Sequence, residues 1–282
     1  MIAFLGMGLL GGNFVRALRS RGEEVRVWNR TRAKADELTA VGAVVAASPA
    51  DAVRGATRVH IVVSDDAAVD DVLAQAALEK GATVVDHTTT TPTGTAARAA
   101  RFAASGITYL HAPVFMGPKN ALESTGIMLA SGDRATFDRL SPELSKMTGT
   151  LSYVGPKPER AAGLKLLGNL FLVSMIGGLV DMFALAKAMN IPPAEALGLF
   201  DLFNPGASLP GRAKSLLRAE FSKPSWELTM ARKDARLMME EASRGEVPLV
   251  LIPALAAVMD RFIAEGHGQE DWTVIGKEAL TP

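Results

Sequence analysis

Gly6, Gly8 and Gly11 sit between a short apolar run, Met1 to Leu5, and a stretch with Phe14, Val15 and Leu18 apolar at helical spacing. A buried strand that turns through G-x-G-x-x-G into a helix leaves few architectures open. The first glycine permits a tight turn, the second lets backbone approach a pyrophosphate, and the third lets helix and strand pack closely. Free amides of the helix's first turn then face the phosphates. Glu24 to Trp28 supplies a second strand, a context that ordinary glycine-rich turns lack. The stretch reads as a dinucleotide-binding fingerprint, with Gly6, Met7, Gly8, Leu9, Leu10 and Gly11 expected against the cofactor.

The end of the second strand bears on which dinucleotide. Sites for NAD place an acidic residue there, about 20 residues past the glycines, to hold the ribose 2′-hydroxyl. This chain has Asn29-Arg30-Thr31, with Arg32 and Lys34 adding positive charge. A guanidinium fork and a hydroxyl suit a 2′-phosphate that a carboxylate would repel. NADPH is therefore favoured over NADH. The competing role for Arg30 is to open a solvated helix.

Composition narrows the partners. The 282 residues carry 30 basic and 30 acidic side chains, so the net charge is zero and no polyanion-binding surface is expected. Nucleic acid is not an expected partner. Cysteine is absent, which excludes disulfides, thiolate metal sites and a cysteine nucleophile. No metal site is expected. Met1 runs directly into the first strand with no basic leader, and a cytoplasmic location is the expectation. The apolar run Leu166 to Leu179 is about 14 residues between Lys165 and Asp181, short of the roughly 20 a bilayer needs. It reads as a buried helix, and no membrane association is expected.

Further along, Ala33 to Leu38 continues as helix and Ala43 to Ala47 as a short strand, and Ser48 stands at an N-cap position ahead of Pro49. Thr57 to Val63 is a third strong strand ending in Ser64-Asp65. Ligands of open parallel sheets lie beyond the carboxyl ends of strands, so Val63, Ser64 and Asp65 should border the cofactor. N-capping the next helix, near Ala67, is the competing role for that turn. Ala82 to Asp86 closes in His87-Thr88-Thr89-Thr90-Thr91-Pro92, where Thr89 is assigned to the cofactor, with helix capping as the alternative. Ile107 to Val114, Ile127 to Ala130 and Leu151 to Val154 complete a doubly wound Rossmann α/β domain over residues 1–158.

Beyond Gly155-Pro156-Lys157-Pro158 strand signals nearly vanish. Glu159 to Asn190 is one helical pattern, on the order of 45 Å long. A helix of that length should join two domains and be covered by other helices or by another subunit. Pro193 to Phe203, Trp226 to Gly245 and Pro248 to Glu265 give an all-α second domain over residues 159–282. Within the long helix, Lys165 and Asn169 are four apart on one otherwise apolar face. Desolvation would lower the lysine's pKa and make it a better proton donor near neutrality; a snorkelling lysine is the alternative. Lys233-Asp234 by itself reads as surface charge.

Taken together, FLGMGLLGGNFVRAL, VWNRT, VVSDDAAV, VDHTTTTP, HAPVFMGP, GLKLLGN and RKDARLM resemble the β-hydroxyacid dehydrogenase family. That family includes 3-hydroxyisobutyrate dehydrogenase and the glyoxylate and succinic semialdehyde reductases, with imine reductases as more distant members. The resemblance covers nearly the whole chain. It implies a Rossmann domain joined by a long helix to an α-helical domain that builds a homodimer. It implies Lys165 as the catalytic lysine that protonates the carbonyl oxygen, Asn169 as its substrate-holding neighbour, and Lys233 as a cofactor contact. It also implies that the turn at Phe115, Met116 and Gly117 binds substrate. Where the family reads Asp-Ala-Pro-Val-Ser-Gly-Gly, and the serine and glycine amides hold a carboxylate, this chain has His111-Ala112-Pro113-Val114-Phe115-Met116-Gly117. Bulk and apolar surface there favour a neutral or hydrophobic carbonyl or imine over a carboxylate. The expected activity is NADPH-dependent reduction of a small carbonyl compound, with Lys165 as proton donor. The alternative is reduction of neutral or cyclic imines, and a module that senses NADPH without chemistry is the competing class.

Overall fold

Short apolar strands alternate with helices from the first residues of the chain. The structure, a computed structural model, describes residues 1–280. In order come β1 (Ile2–Leu5), α1 (Leu9–Ser20), β2 (Val25–Trp28), α2 (Arg32–Asp36), β3 (Val44–Val45), α3 (Pro49–Val53), β4 (Arg58–Ile61) and α4 (Asp66–Gln75). Then follow β5 (Thr83–Asp86), α5 (Pro92–Ala104), β6 (Thr108–His111), β7 (Val114–Phe115), α6 (Pro118–Glu123), β8 (Ile127–Ala130), α7 (Arg134–Leu144) and β9 (Thr150–Tyr153). The helices α8 (Arg160–Ala188), α9 (Pro193–Leu202), α10 (Pro205–Arg218), α11 (Leu228–Arg244) and α12 (Ile252–Phe262) complete it.

Six strands make one parallel sheet in the order β3-β2-β1-β4-β5-β6, the Rossmann arrangement with β1 at its centre. Alternate residues of β1 point to opposite faces. Ile2 and Phe4 join Phe14, Val15 and Leu18 in one core, while Ala3 and Leu5 join Ile61, Val69 and Leu73 in the other. Both faces are covered, so the strand must be apolar throughout. The expected strand Ile107 to Val114 is in fact two. Pro113 has no N–H to donate to a ladder, so β6 ends in the parallel sheet and β7 begins another. Strands β7, β8 and β9 form this separate sheet, in which β7 runs antiparallel to β8.

The Rossmann core is unusually polar at one place. His60 and His87 are completely or almost completely buried and stack in a column with Phe4, their rings 5.2 Å apart. The bonding fixes their protonation. The carbonyl of Ala112 can only accept, so His87 Nδ1 carries the proton it donates there at 2.8 Å. Its Nε2 then accepts from His60 Nδ1 at 2.9 Å, and His60 Nε2 accepts from Arg58 Nε at 2.8 Å. Both rings are neutral in this arrangement. Nearby, fully buried Arg98 of α5 pairs with Asp66 and Asp70 of α4 and approaches Asp86 at 3.7 Å, while the Tyr109 hydroxyl donates to Asp86.

Packing divides the chain into two compact units, Met1–Leu170 and the part from Phe171 onward. In the second, Leu228, Ala231 and Ala235 of α11 meet Ala256, Met259 and Phe262 of α12 in a core of their own. Asp181 of α8 accepts from the amides of Val250, Leu251 and Ile252, satisfying the start of α12 with one carboxylate. These amides hold its carboxyl below the usual carboxylate range. The long helix expected over Glu159 to Asn190 is α8, 29 residues. The run Leu166 to Leu179, expected as a buried helix, is instead largely open, with Leu167, Leu170 and Val173 each about two-thirds exposed or more. The helix α10 was not expected from its sequence, which carries Pro210 in its interior.

Candidate active site

Local chain geometry builds a cleft of about 570 Å³ along the carboxyl ends of β1, β2 and β4. Gly6 turns the chain there with φ +96°, a conformation that side chains with a Cβ disfavour. A Cβ on Gly6 would lie 2.1 Å from the Val62 carbonyl oxygen, and one on Gly11 would lie 1.9 Å from the carbonyl oxygen of Gly6. At Gly8 a Cβ would meet nothing within 4 Å. The first and third glycines thus serve packing, and the second leaves open space where α1 begins, with no side chain capping its first amides. A pyrophosphate fits that cradle by charge and shape.

Of the residues expected against the cofactor, Gly6, Gly8, Leu9, Leu10, Gly11, Asn29, Arg30, Thr31, Val63 and Ser64 line the cleft. Arg30 and Thr31 are exposed at its rim, and Lys34 adds a second cation. Asn29 also has a structural task. Its Oδ1 accepts from the Met7 amide at 2.9 Å and its Nδ2 donates to the Thr31 carbonyl at 2.7 Å, joining the glycine turn to the end of β2.

Other expected residues lie differently. Met7 is buried in the core rather than lining the cleft. Asp65 caps α4 by accepting from the Ala68 amide at 2.8 Å and is not among the cleft's lining residues. Thr88 Oγ1 accepts from the Val63 amide, Thr90 bonds Thr95, and Thr91 caps α5. Thr89 is the threonine of this run with no such bond among the described residues. Lys233 lies in the second unit, paired with Asp234 at 2.8 Å. Sequence reasoning missed Trp28, Val62, Ala68, Asp71, Val72 and Pro118 in the lining. For Ala68, Asp71 and Val72 a signal existed: they share one face of α4 at spacings of three and four.

A second cluster gathers residues of the expected chemistry in the first unit. Lys165 is 8% exposed, and its Nζ donates to Asn169 Oδ1 at 2.8 Å. The Phe115 ring covers the ammonium, with Nζ 4.1 Å from the ring centre. Burial pushes the Lys165 pKa down from its ordinary value, because water no longer solvates the cation. Phe115 rests on Gly168, where a Cβ would lie 2.4 Å from its Cζ. Met116 turns away to pack on the Rossmann core, with its Cγ 2.9 Å from where a Cβ of Gly126 would lie. The Gly117 amide already donates to Asn120 Oδ1 at 2.9 Å, and Asn120 Nδ2 donates to Thr125.

Known proteins show the family to which the chain belongs. Residues 1–155 match the family described as the NAD binding domain of 6-phosphogluconate dehydrogenase. The chain belongs to that family and is a member of the β-hydroxyacid dehydrogenases. It is similar to 3-sulfolactaldehyde reductase of Escherichia coli, 26% identical over 97% of this chain and 94% of the relative. It is also similar to glyoxylate/succinic semialdehyde reductase 1 of Arabidopsis thaliana, 28% identical over 93% of this chain and 91% of the relative. In fold it matches an imine reductase from Myxococcus stipitatus solved with NADP+, with TM-score 0.92, 20% identity and 98% and 99% coverage of the two chains. A reductive aminase from Aspergillus terreus solved with NADPH and ethyl-5-oxohexanoate matches at TM-score 0.91, 22% identity and 99% and 98% coverage. The protein is an oxidoreductase that binds a nicotinamide dinucleotide.

Proposed function

We propose that the protein is an NADPH-dependent reductase of a small carbonyl compound, with Lys165 as the proton donor. The observation that carries this is a buried, proton-bearing Nζ held by Asn169 in a chain whose glycine cradle fits a dinucleotide. When bound, the cofactor supplies the hydride. Gly8 and the first turn of α1 would hold the pyrophosphate, and Arg30, Thr31 and Lys34 would hold the 2′-phosphate.

Lys165 then does what a buried ammonium is suited to do. Its weakened hold on the proton lets Nζ pass it to the oxygen of a carbonyl that becomes an alcohol. Asn169 Oδ1 aims Nζ by accepting one of its protons, and Phe115 keeps water from its flank. Imine reduction is the second reading, favoured by the apolar ring beside the lysine; an iminium already carries its proton and needs less from Lys165.

We infer that the protein acts as a homodimer and binds neither nucleic acid nor membrane. The open apolar side chains along α8 suit a second copy. By length and composition α8 would also pass as a membrane-crossing helix. Its uncharged run, residues 166–180, is only about 22 Å long at 1.5 Å per residue, against about 30 Å of hydrocarbon.

The test is NADPH consumption at pH 7 against glyoxylate, succinic semialdehyde, a neutral aldehyde and a cyclic imine. Lys165→Ala should lower kcat on the preferred carbonyl by about 10² to 10⁴ while the circular dichroism spectrum stays that of the wild type. Unchanged kcat removes Lys165 from the chemistry. Turnover of the cyclic imine alone gives the second reading precedence.

A further inference from the structure

A buried ammonium normally faces an anion, and among the described residues no carboxylate pairs with Lys165. Its neighbours are the neutral Asn169 and the face of Phe115, 4.1 Å from Nζ. An aromatic face attracts a cation, and the more so where water is excluded. The ring is also locked in place from behind. It rests on Gly168, one turn along the same helix from Lys165, so closely that any side chain at 168 would overlap it. The adjoining turn has no unused donor at Gly117, whose amide is committed to Asn120.

We propose that Phe115, held on Gly168, stands in for a counter-ion of Lys165 and is the specificity-determining residue of the site, admitting neutral carbonyl compounds and turning away those with a carboxylate beside the carbonyl. It rests on the reduction proposed above for its meaning, and on packing alone for its test. A substrate whose carbonyl oxygen reaches Nζ must place an adjacent carboxylate within a few ångströms of the same ammonium. The benzene face occupies one such position, and a carboxylate pressed against the negative face of a ring is repelled and poorly solvated. A neutral aldehyde or ketone with an apolar flank packs there without loss.

Two substitutions move the ring by different routes. Phe115→Ser deletes it. Gly168→Ala leaves it intact but pushes it off the lysine, and exchanges glycine for a better helix former, so folding of α8 is not put at risk. Phe115→Tyr keeps the aromatic face and serves as the conservative control. Glyoxylate is titrated calorimetrically into each full-length variant loaded with NADP+, the oxidised cofactor that has no hydride to give, so binding is read without turnover. Expected is weak binding to wild type and Phe115→Tyr, and binding about tenfold tighter or more in Phe115→Ser and Gly168→Ala, the scale of one charge-assisted contact. In turnover, the ratio of kcat/KM for glyoxylate to that for butyraldehyde should rise in the same two variants and stay put in Phe115→Tyr. Unchanged glyoxylate affinity in both ring-moving variants overturns the proposal, even if the wild type reduces aldehydes. Failure of every variant to turn over any carbonyl, with the binding pattern as expected, overturns the reductase reading and leaves this one standing.

Discussion

Arg30 stands exposed at the rim of the cleft, and nothing in its own unit requires the guanidinium there for packing. Its role is best read from the ligand side. Arg30→Ala should raise the Kd for NADPH by about tenfold or more, the scale of one hydrogen bond to a charged group, and change that for NADH little. Fluorescence titration of both cofactors checks this; equal weakening of the two would remove the 2′-phosphate role. Single residues also show what a sequence conceals. The three glycines were legible because their work is local, within one turn and the strand beside it. Arg98 was not, since its partners Asp70 and Asp66 lie 28 and 32 positions away, and in its own helix it looks like any surface arginine. Gly168 was equally silent: its lack of a side chain matters only because Phe115, from a distant strand, lies on it.

At the scale of elements, the column joining β4 to the end of β5 carries a consequence for acid stability. Every ring nitrogen of His60 and His87 has one assigned partner, so an added proton would set N–H against N–H. Burial holds His87 down at about 4 and His111 at about 3, and His60 well below its ordinary value. In the unfolded chain these rings titrate near 6.5. The folded-state values are the lower ones, so between about pH 6.5 and pH 4 the unfolded chain binds protons that the folded one refuses. Stability should be level above pH 7 and fall as pH drops through that window, by about 3 kcal/mol from His87 alone. Urea unfolding at pH 7.5, 6, 5 and 4.5 checks it, and midpoints that do not move across that range would show that the rings are protonated in the folded state. Strand and helix patterns were legible where periodicity is strong, as in β1, β4 and α8. They failed at β7, where Pro113 divides a continuous apolar run between two sheets. They failed again at α10, whose Pro210, Gly206 and Gly211 read as loop residues.

For the whole molecule, the open apolar side of α8 calls for cover that a second copy would give. Light scattering at micromolar concentration should report twice the 29.7 kDa chain mass, and Val173→Glu, which places a charge among exposed apolar side chains, should shift the mass toward that of one chain. A single-chain mass for the wild type removes the dimer. The first unit has a further consequence, one of timing. It closes at Leu170 and already holds the glycine turn, Arg30, Phe115, Lys165 and Asn169. A chain leaving the ribosome therefore possesses these proposed cofactor and proton-donor residues before α11, which carries Lys233, has been synthesised. Cofactor bound at that stage would stabilise the half-made protein by mass action, so cellular supply of the dinucleotide would bear on how much protein is made intact, before it bears on how fast the finished enzyme works.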